Sequence, residues 1–275
     1  MNSQAVITSV LSASLLVNIC SGSPQTERVA DSDVQISTLA IDTTPPGVKA
    51  LMSCYPEQVV SYFDGKIFFD DEECLVFDDG LEKSFLQALD EADVEDMFSI
   101  PYDRMSEKPS YLRDPGRIRC AKFFKMVYGN SESVVRSNLI SVDWFEGQKL
   151  KFNRINGAAD SLKAVYLELR QLPKEYHRYC TQATTFYWRN VRGANRLSAH
   201  SFGIAIDINT TYADYWLWAN PKARELDNIN YKNRIPLEII EAFERHGFIS
   251  GTRWYHFDTM HFEFRPELFY TMAQE

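Results

Sequence analysis

The sequence predicts an α+β fold on a mainly antiparallel sheet flanked by helices, with an additional α/β portion toward the N-terminus. Three observations carry that expectation. Strand-like apolar runs mix with helices of 3.6-residue period, their order lacks the regular strand–helix–strand rhythm of a parallel sheet, and no internal repeat or low-complexity tract divides the chain. At 275 residues, 45% hydrophobic and 24% charged, the chain is long enough and apolar enough for a buried core.

From Ala5 to Cys20 runs an apolar stretch followed by Ser21, Gly22 and Ser23, which fits a secretory leader over residues 1–23, although no Lys or Arg precedes Arg28. The run is short for a bilayer, so no stable membrane span is expected, and the chain is expected to be exported, periplasmic or secreted. Residues 24–46 are polar, lack periodicity and end at Pro45-Pro46, as a linker does. Residues 47–149 form a region to which the sequence assigns no role. It contains a hairpin, Lys66–Phe69 and Cys74–Phe77 about the acidic turn Asp70–Glu73, read as a solvated turn because it lacks the glycine and spacing of a calcium loop. A helix is predicted over Leu81–Ala92 and another over Arg117–Tyr128, stopped by Gly129.

Residues 150–275 read as strand, helix, loop, strand, helix, strand. Leu150 and Phe152 alternate with Lys149, Lys151 and Asn153. A helix after Gly157 stacks Leu162, Val165, Tyr166 and Leu169, and another begins at Pro236, buries Leu237, Ile240 and Phe243, and stops before Gly247. Without the leader, Cys54, Cys74, Cys120 and Cys180 remain, enough for two disulfides or four buried thiols, and no CxxC pair offers a cysteine zinc site. The net charge of −9 disfavours nucleic acid, which leaves small molecules, peptides or glycans as partners of a monomer.

Two segments carry chemistry. As a strand from Phe202, the first puts Phe202, Ile204, Ile206 and Ile208 on a core face, and Gly203, Ala205 and Asp207 on a face with room beside the backbone; His200 stands just before it. In the second, Met260, Phe262 and Phe264 face the core while His261 and Glu263 point away. His200, Asp207 and His261 supply two imidazoles and one carboxylate, the donor set of a catalytic zinc with one open position. Asp258 is the nearest base for a water, and strict alternation sends it to the wrong face, so the chain must bend before His261.

Ser198, His200, Gly203, Ala205 and Asp207, with Asp258 and His261 downstream, resemble the zinc D-alanyl-D-alanine carboxypeptidases, a family that includes L-alanyl-D-glutamate endopeptidases of phage endolysins and the dipeptidases of vancomycin resistance. The resemblance covers about residues 150–267. It implies a Hedgehog/DD-peptidase-like fold, Zn2+ on His200, Asp207 and His261, Asp258 as general base, and peptidoglycan stem peptides as substrate. It also implies an upstream arginine that steadies the oxyanion; Tyr187-Trp188-Arg189 fits best, with Arg192 and Arg196 as rivals. The alternative is a catalytically silent wall-peptide-binding protein that keeps the metal. Glu263 is expected to orient a ligand or pair with a cation, His256 not to bind metal, His177 to lie at the surface, and His246 to end a helix. Tyr212, Tyr215, Trp216 and Trp218 are read first as packing a helix onto the sheet, and second as a groove wall.

Overall fold

The computed structural model describes residues 42–191 and 193–270. The predicted leader and most of the predicted linker lie outside them. From Thr43 onward the chain forms one compact unit. Its elements are, in order, α1 (Pro46–Cys54), β1 (Val59–Phe63), β2 (Lys66–Phe69), β3 (Cys74–Val76), α2 (Phe85–Glu91), α3 (Ala121–Tyr128), α4 (Glu132–Ser137), β4 (Leu139–Asp143), β5 (Lys149–Asn153), α5 (Ala158–Leu169), α6 (Lys174–Cys180), β6 (Ala205–Asp207), α7 (Trp216–Ala219), α8 (Leu237–Arg245), β7 (Phe248–Ser250), β8 (His261–Phe264) and α9 (Glu267–Tyr270). The strands form three antiparallel sheets, ordered β1-β2-β3, β4-β5 and β6-β8-β7. The fold is α+β, small antiparallel sheets flanked by helices, as the sequence predicts.

Local chemistry sets the helix starts, and two come later than periodicity suggests. Ser84 caps α2: its hydroxyl accepts from the Gln87 amide while the Gln87 side chain accepts from the Ser84 amide at 3.0 Å. This reciprocal cap satisfies two otherwise orphaned donors, so Leu81 stays outside the helix and 68% exposed. α3 begins at Ala121 because Arg117 and Arg119 are drawn into ion pairs with Asp114, Glu225 and Glu263. In α8 the apolar stripe is Ile239, Ile240 and Phe243; Leu237, expected to be buried, is 53% exposed. The predicted hairpin forms, with Lys66 opposite Val76 and Phe68 opposite Cys74, and β1 extends it to three strands.

The core lies between sheet β6-β8-β7 and the pair α5–α8. Phe243 of α8 stacks on Phe262 of β8 with ring centroids 3.8 Å apart, and Ile204, Ile206, Ile208 and Phe264 are buried with them. Burial of each such side chain stabilises the fold by about 1.5–3 kcal/mol. Asn153, expected to face outward, is fully buried: its amide nitrogen donates to the Phe202 carbonyl at 2.9 Å and its backbone N–H to the Gly203 carbonyl at 2.8 Å. These bonds tie β5 to the segment that leads into β6. A chain of buried polar contacts ties the N-terminal region to β8. The Tyr55 hydroxyl donates to Glu267 at 2.6 Å, Glu267 pairs with Arg265, and Arg265 reaches Glu263 at 3.3 Å.

Cys54, Cys74, Cys120 and Cys180 are unpaired thiols, and only Cys120 and Cys180 are buried. The two-disulfide alternative is therefore not realised, and the buried-thiol alternative holds for two of the four. No helix among the described residues is long and apolar enough to cross a membrane.

Candidate metal centre

The first motif is a turn before it is a strand. Ser198 caps a 3₁₀ turn over Ala199–Phe202, and Gly203 follows at φ +67°. A side chain at Gly203 would strain that backbone and bring its Cβ to 2.6 Å from Leu139. Regular strand is confined to Ala205–Asp207, a correction to the longer strand predicted from Phe202, yet Phe202, Ile204, Ile206 and Ile208 are all buried as expected. Strand register does the rest. Asp207 lies directly opposite His261, and Ala205 opposite Glu263. Cross-strand partners share one face of an antiparallel pair, so pairing β6 with β8 sets a carboxylate against an imidazole.

His200 Nε2 lies 3.1 Å and His261 Nδ1 2.9 Å from the same oxygen, Asp207 Oδ1. The outer ring nitrogens are engaged as well. His200 Nδ1 lies 2.6 Å from the Thr185 carbonyl, which can only accept, so that nitrogen donates and Nε2 is the one turned toward Asp207. His261 Nε2 faces Glu263 Oε2 at 3.5 Å, and Glu263 is held by Arg119 at 3.0 Å and by Arg265. Acceptors behind two inward-facing imidazoles fix the rings as a metal site needs.

Charge at the cluster is strongly perturbed. Burial opposes ionisation of Asp207, but the two imidazoles outweigh it and hold the carboxyl well below its usual range. Burial would lower His261, yet its bonds to Asp207 and Glu263 push it up to about 10. Against its own burial, Arg119 and His261 hold Glu263 at about 2. A proton on His261 thus supplies positive charge that a bound cation would replace. The donor atoms of His200, Asp207 and His261 lie within 4.8 Å of one another. Two neutral imidazole nitrogens and one carboxylate fit a zinc ion. Two other acidic clusters, Asp78/Asp79/Asp93 and Asp93/Glu95/Asp96, already surround an ammonium: Lys83 Nζ lies 2.9 Å from Asp79, 3.3 Å from Asp93 and 2.7 Å from Asp96.

The bend required before His261 is present. The His261 amide donates to the Asp258 carbonyl at 3.0 Å, a turn that brings Asp258 round to the face of the imidazoles. Gly251 permits it, since a Cβ there would sit 2.2 Å from the Asp258 carbonyl oxygen. Asp258 Oδ1 is buried without a hydrogen-bond partner among the described residues. Burial, and then the charge of Asp207, raises the Asp258 carboxyl to about 7.

These groups line a cavity of about 490 Å³. Arg189 lines it too, exposed, with its guanidinium donating to the Asn190 carbonyl at 3.3 Å. Arg196 is at the wall, paired with Asp90, and Arg192 lies outside the described residues. Tyr215, Trp216 and Trp218 line the cavity, so the groove-wall alternative describes them better than packing alone; Tyr212 stands apart against Tyr179. His256 also lines the cavity, but its Nδ1 is bonded to Asp114 and its Nε2 lies 2.9 Å from the Glu225 carbonyl. With both nitrogens engaged, His256 has no lone pair free for a metal. His177 is half-buried, its ring against Phe145 and its Nε2 on the Leu172 carbonyl, and His246 ends α8 and meets Glu168 at 2.9 Å. Sequence reasoning missed Asp114, Arg117 and Arg119, whose only signal was a dense run of charge, Arg113 to Arg119, before a helix, and it missed Trp254, which also lines the cavity.

Comparison with known proteins agrees with this geometry. Residues 192–264 match a family model described as D-alanyl-D-alanine carboxypeptidase. The matched segment contains both motifs. Arg117, Arg119 and Arg189 all precede it. Neither the curated proteins nor the solved structures compared with the chain gave a match.

Proposed function

We propose that this chain is an exported zinc peptidase that hydrolyses D-amino-acid-containing peptide bonds of peptidoglycan. The observation that carries the reading is the convergence of His200 Nε2, Asp207 Oδ1 and His261 Nδ1 beside the buried, partnerless Oδ1 of Asp258. A zinc ion held there supplies Lewis acidity and lowers the pKa of a water to about 7.

The remaining work belongs to side chains. Asp258 Oδ1 takes the proton of the attacking water and passes it to the leaving amine. Burial raises the Asp258 carboxyl above the ordinary carboxylate range, which suits a group that takes a proton and then returns it. Arg189 supports the charge that develops on the carbonyl oxygen. Tyr215, Trp216 and Trp218 give the peptide an aromatic wall and exclude water from one side. Export agrees with the leader-like start and with a substrate outside the cytoplasm.

The test is digestion of a defined muropeptide by the full chain with zinc, read by mass spectrometry and repeated with a chelator. The expected result is release of a fragment cut at a D-residue bond, abolished by chelation and restored by zinc. Binding without release would contradict hydrolysis and leave a wall-peptide-binding protein.

A further inference from the structure

A second cavity, of about 510 Å³, is lined mostly by the N-terminal region to which the sequence assigns no role, and none of its residues lines the metal centre. Its walls are aromatic and prolyl: Tyr62 of β1, Phe77 just after β3, Phe98 and Pro101. Tyr62 meets Phe77 edge-on, with ring centroids 6.2 Å apart. α1 packs closely on Phe98 because residue 47 is glycine, where a Cβ would lie 2.8 Å from the Phe98 ring. The Glu95 amide donates to the Phe77 carbonyl at 2.9 Å, which draws Glu95 toward Asp78. Both of these acids line the cavity, and both are exposed.

The two acids belong to a set that one cation does not neutralise. Asp78, Asp79, Asp93, Glu95 and Asp96 form two overlapping groups that share Asp93, and Lys83 bonds only Asp79, Asp93 and Asp96. Asp78 Oδ1 accepts from the Gly80 amide at 2.7 Å, and neither Asp78 nor Glu95 has an ion pair among the described residues. Burial, and then the like charges of Asp78, Asp96 and Asp93, raise the Glu95 carboxyl above its usual range. A positive charge brought to this rim relieves that repulsion. The walls select what carries the charge: an alkyl chain gains by leaving water against them, and an ammonium is drawn to an aromatic face. A bare metal ion would use only the carboxylates, and a neutral apolar group only the walls.

We propose that this cavity binds the lysine-type alkylammonium side chain of a peptide, its methylenes against Tyr62, Phe77 and Phe98 and its ammonium at Asp78 and Glu95. The site gives the N-terminal region a peptide contact of its own. It needs neither zinc nor turnover, so it stands or falls separately from the peptidase reading.

NMR spectra of the full chain without zinc, titrated with two probes, test the site. One probe is N-acetyl-lysine methylamide; the other is N-acetyl-norleucine methylamide, which lacks the ammonium. The lysine probe is expected to shift the signals of the cavity residues and to bind roughly 10-fold tighter than norleucine, the scale of a cation on an aromatic face joined to an exposed ion pair. That preference should shrink at about 1 M salt, because the acids are exposed. Glu95→Gln and Asp78→Asn should each remove most of it and leave norleucine binding unchanged, whereas Tyr62→Leu should weaken both probes. Asp78→Asn keeps an acceptor for the Gly80 amide, and each acid variant removes one of several like charges, so neither should lower Tm. Equal binding of the two probes, acid variants that keep the parent's preference, or shifts confined to the metal cavity would overturn the proposal. Calcium chloride that shifts the same signals at lower concentration than the lysine probe would overturn it in favour of a metal site.

Discussion

Replacing Glu263 by Gln probes how the centre is braced. Glu263 is fully buried and accepts from Arg119 at 3.0 Å and Arg265 at 3.3 Å while facing His261 Nε2 at 3.5 Å. The amide removes the charge but keeps the shape. Arg265 retains Glu267, so the loss falls on Arg119, whose remaining bond is to the Gly116 carbonyl. Breaking a buried pair from one side costs about 3–5 kcal/mol. For a chain of this size each kcal/mol lowers Tm by about 2–4 °C, so a fall on the order of 10 °C is expected. His261 also loses the charge of its outer acceptor, which should weaken zinc binding about 10- to 100-fold. Thermal unfolding with a chelator present isolates the first effect from metal linkage, and competition with a fluorescent zinc chelator reads the second. A Tm within about 2 °C of the parent, with unchanged zinc affinity, would refute the bracing argument.

Three further outcomes follow from the same geometry. Asp258→Asn should lower kcat by about 10²–10⁴ with zinc content unchanged, and undiminished turnover would remove Asp258 as the base. Gly251→Ala, whose Cβ would meet the Asp258 carbonyl at 2.2 Å, should displace the turn and cost about 10-fold or more in kcat while zinc still binds; normal kcat would show that the turn tolerates the shift. Glu263, held at about 2 against an ordinary 4.5, has a lowered carboxyl pKa. Its contribution to stability is therefore present above pH 4.5 and lost as pH falls toward 2, on the order of 3 kcal/mol. Urea unfolding of the metal-free chain between pH 5 and pH 2.5 should show that loss, and a Glu263→Gln chain with the same slope would contradict it.

What the sequence reveals divides along physical lines. The motif residues are legible because zinc chemistry restricts donor types and an antiparallel pair restricts spacing: with Asp207 opposite His261, one register suffices to assemble half the site. The apolar residues 202, 204, 206 and 208 reveal their common burial, but not that a 3₁₀ turn and Gly203 interrupt the strand, since burial on all sides has no period to read. Helix starts are misread where polar bonds override periodicity. Ser84 ends the run before α2 by capping it, and Arg117 and Arg119 leave the predicted helix to pair with acids remote in sequence. The same remoteness hides the second half of the site. Asp114 reaches His256 and Arg119 reaches Glu263 across more than a hundred residues, and spacing carries no signal of such contacts.

The central claim is that His200, Asp207 and His261 grip one ion, and zinc K-edge absorption on the full chain tests it most directly. The account predicts one zinc per chain, coordinated by two imidazoles, carboxylate oxygen and a light solvent ligand, with stoichiometric binding lost in His200→Ala and His261→Ala. A sulfur shell around the zinc, or a full equivalent of tightly bound zinc retained in both variants, would contradict it.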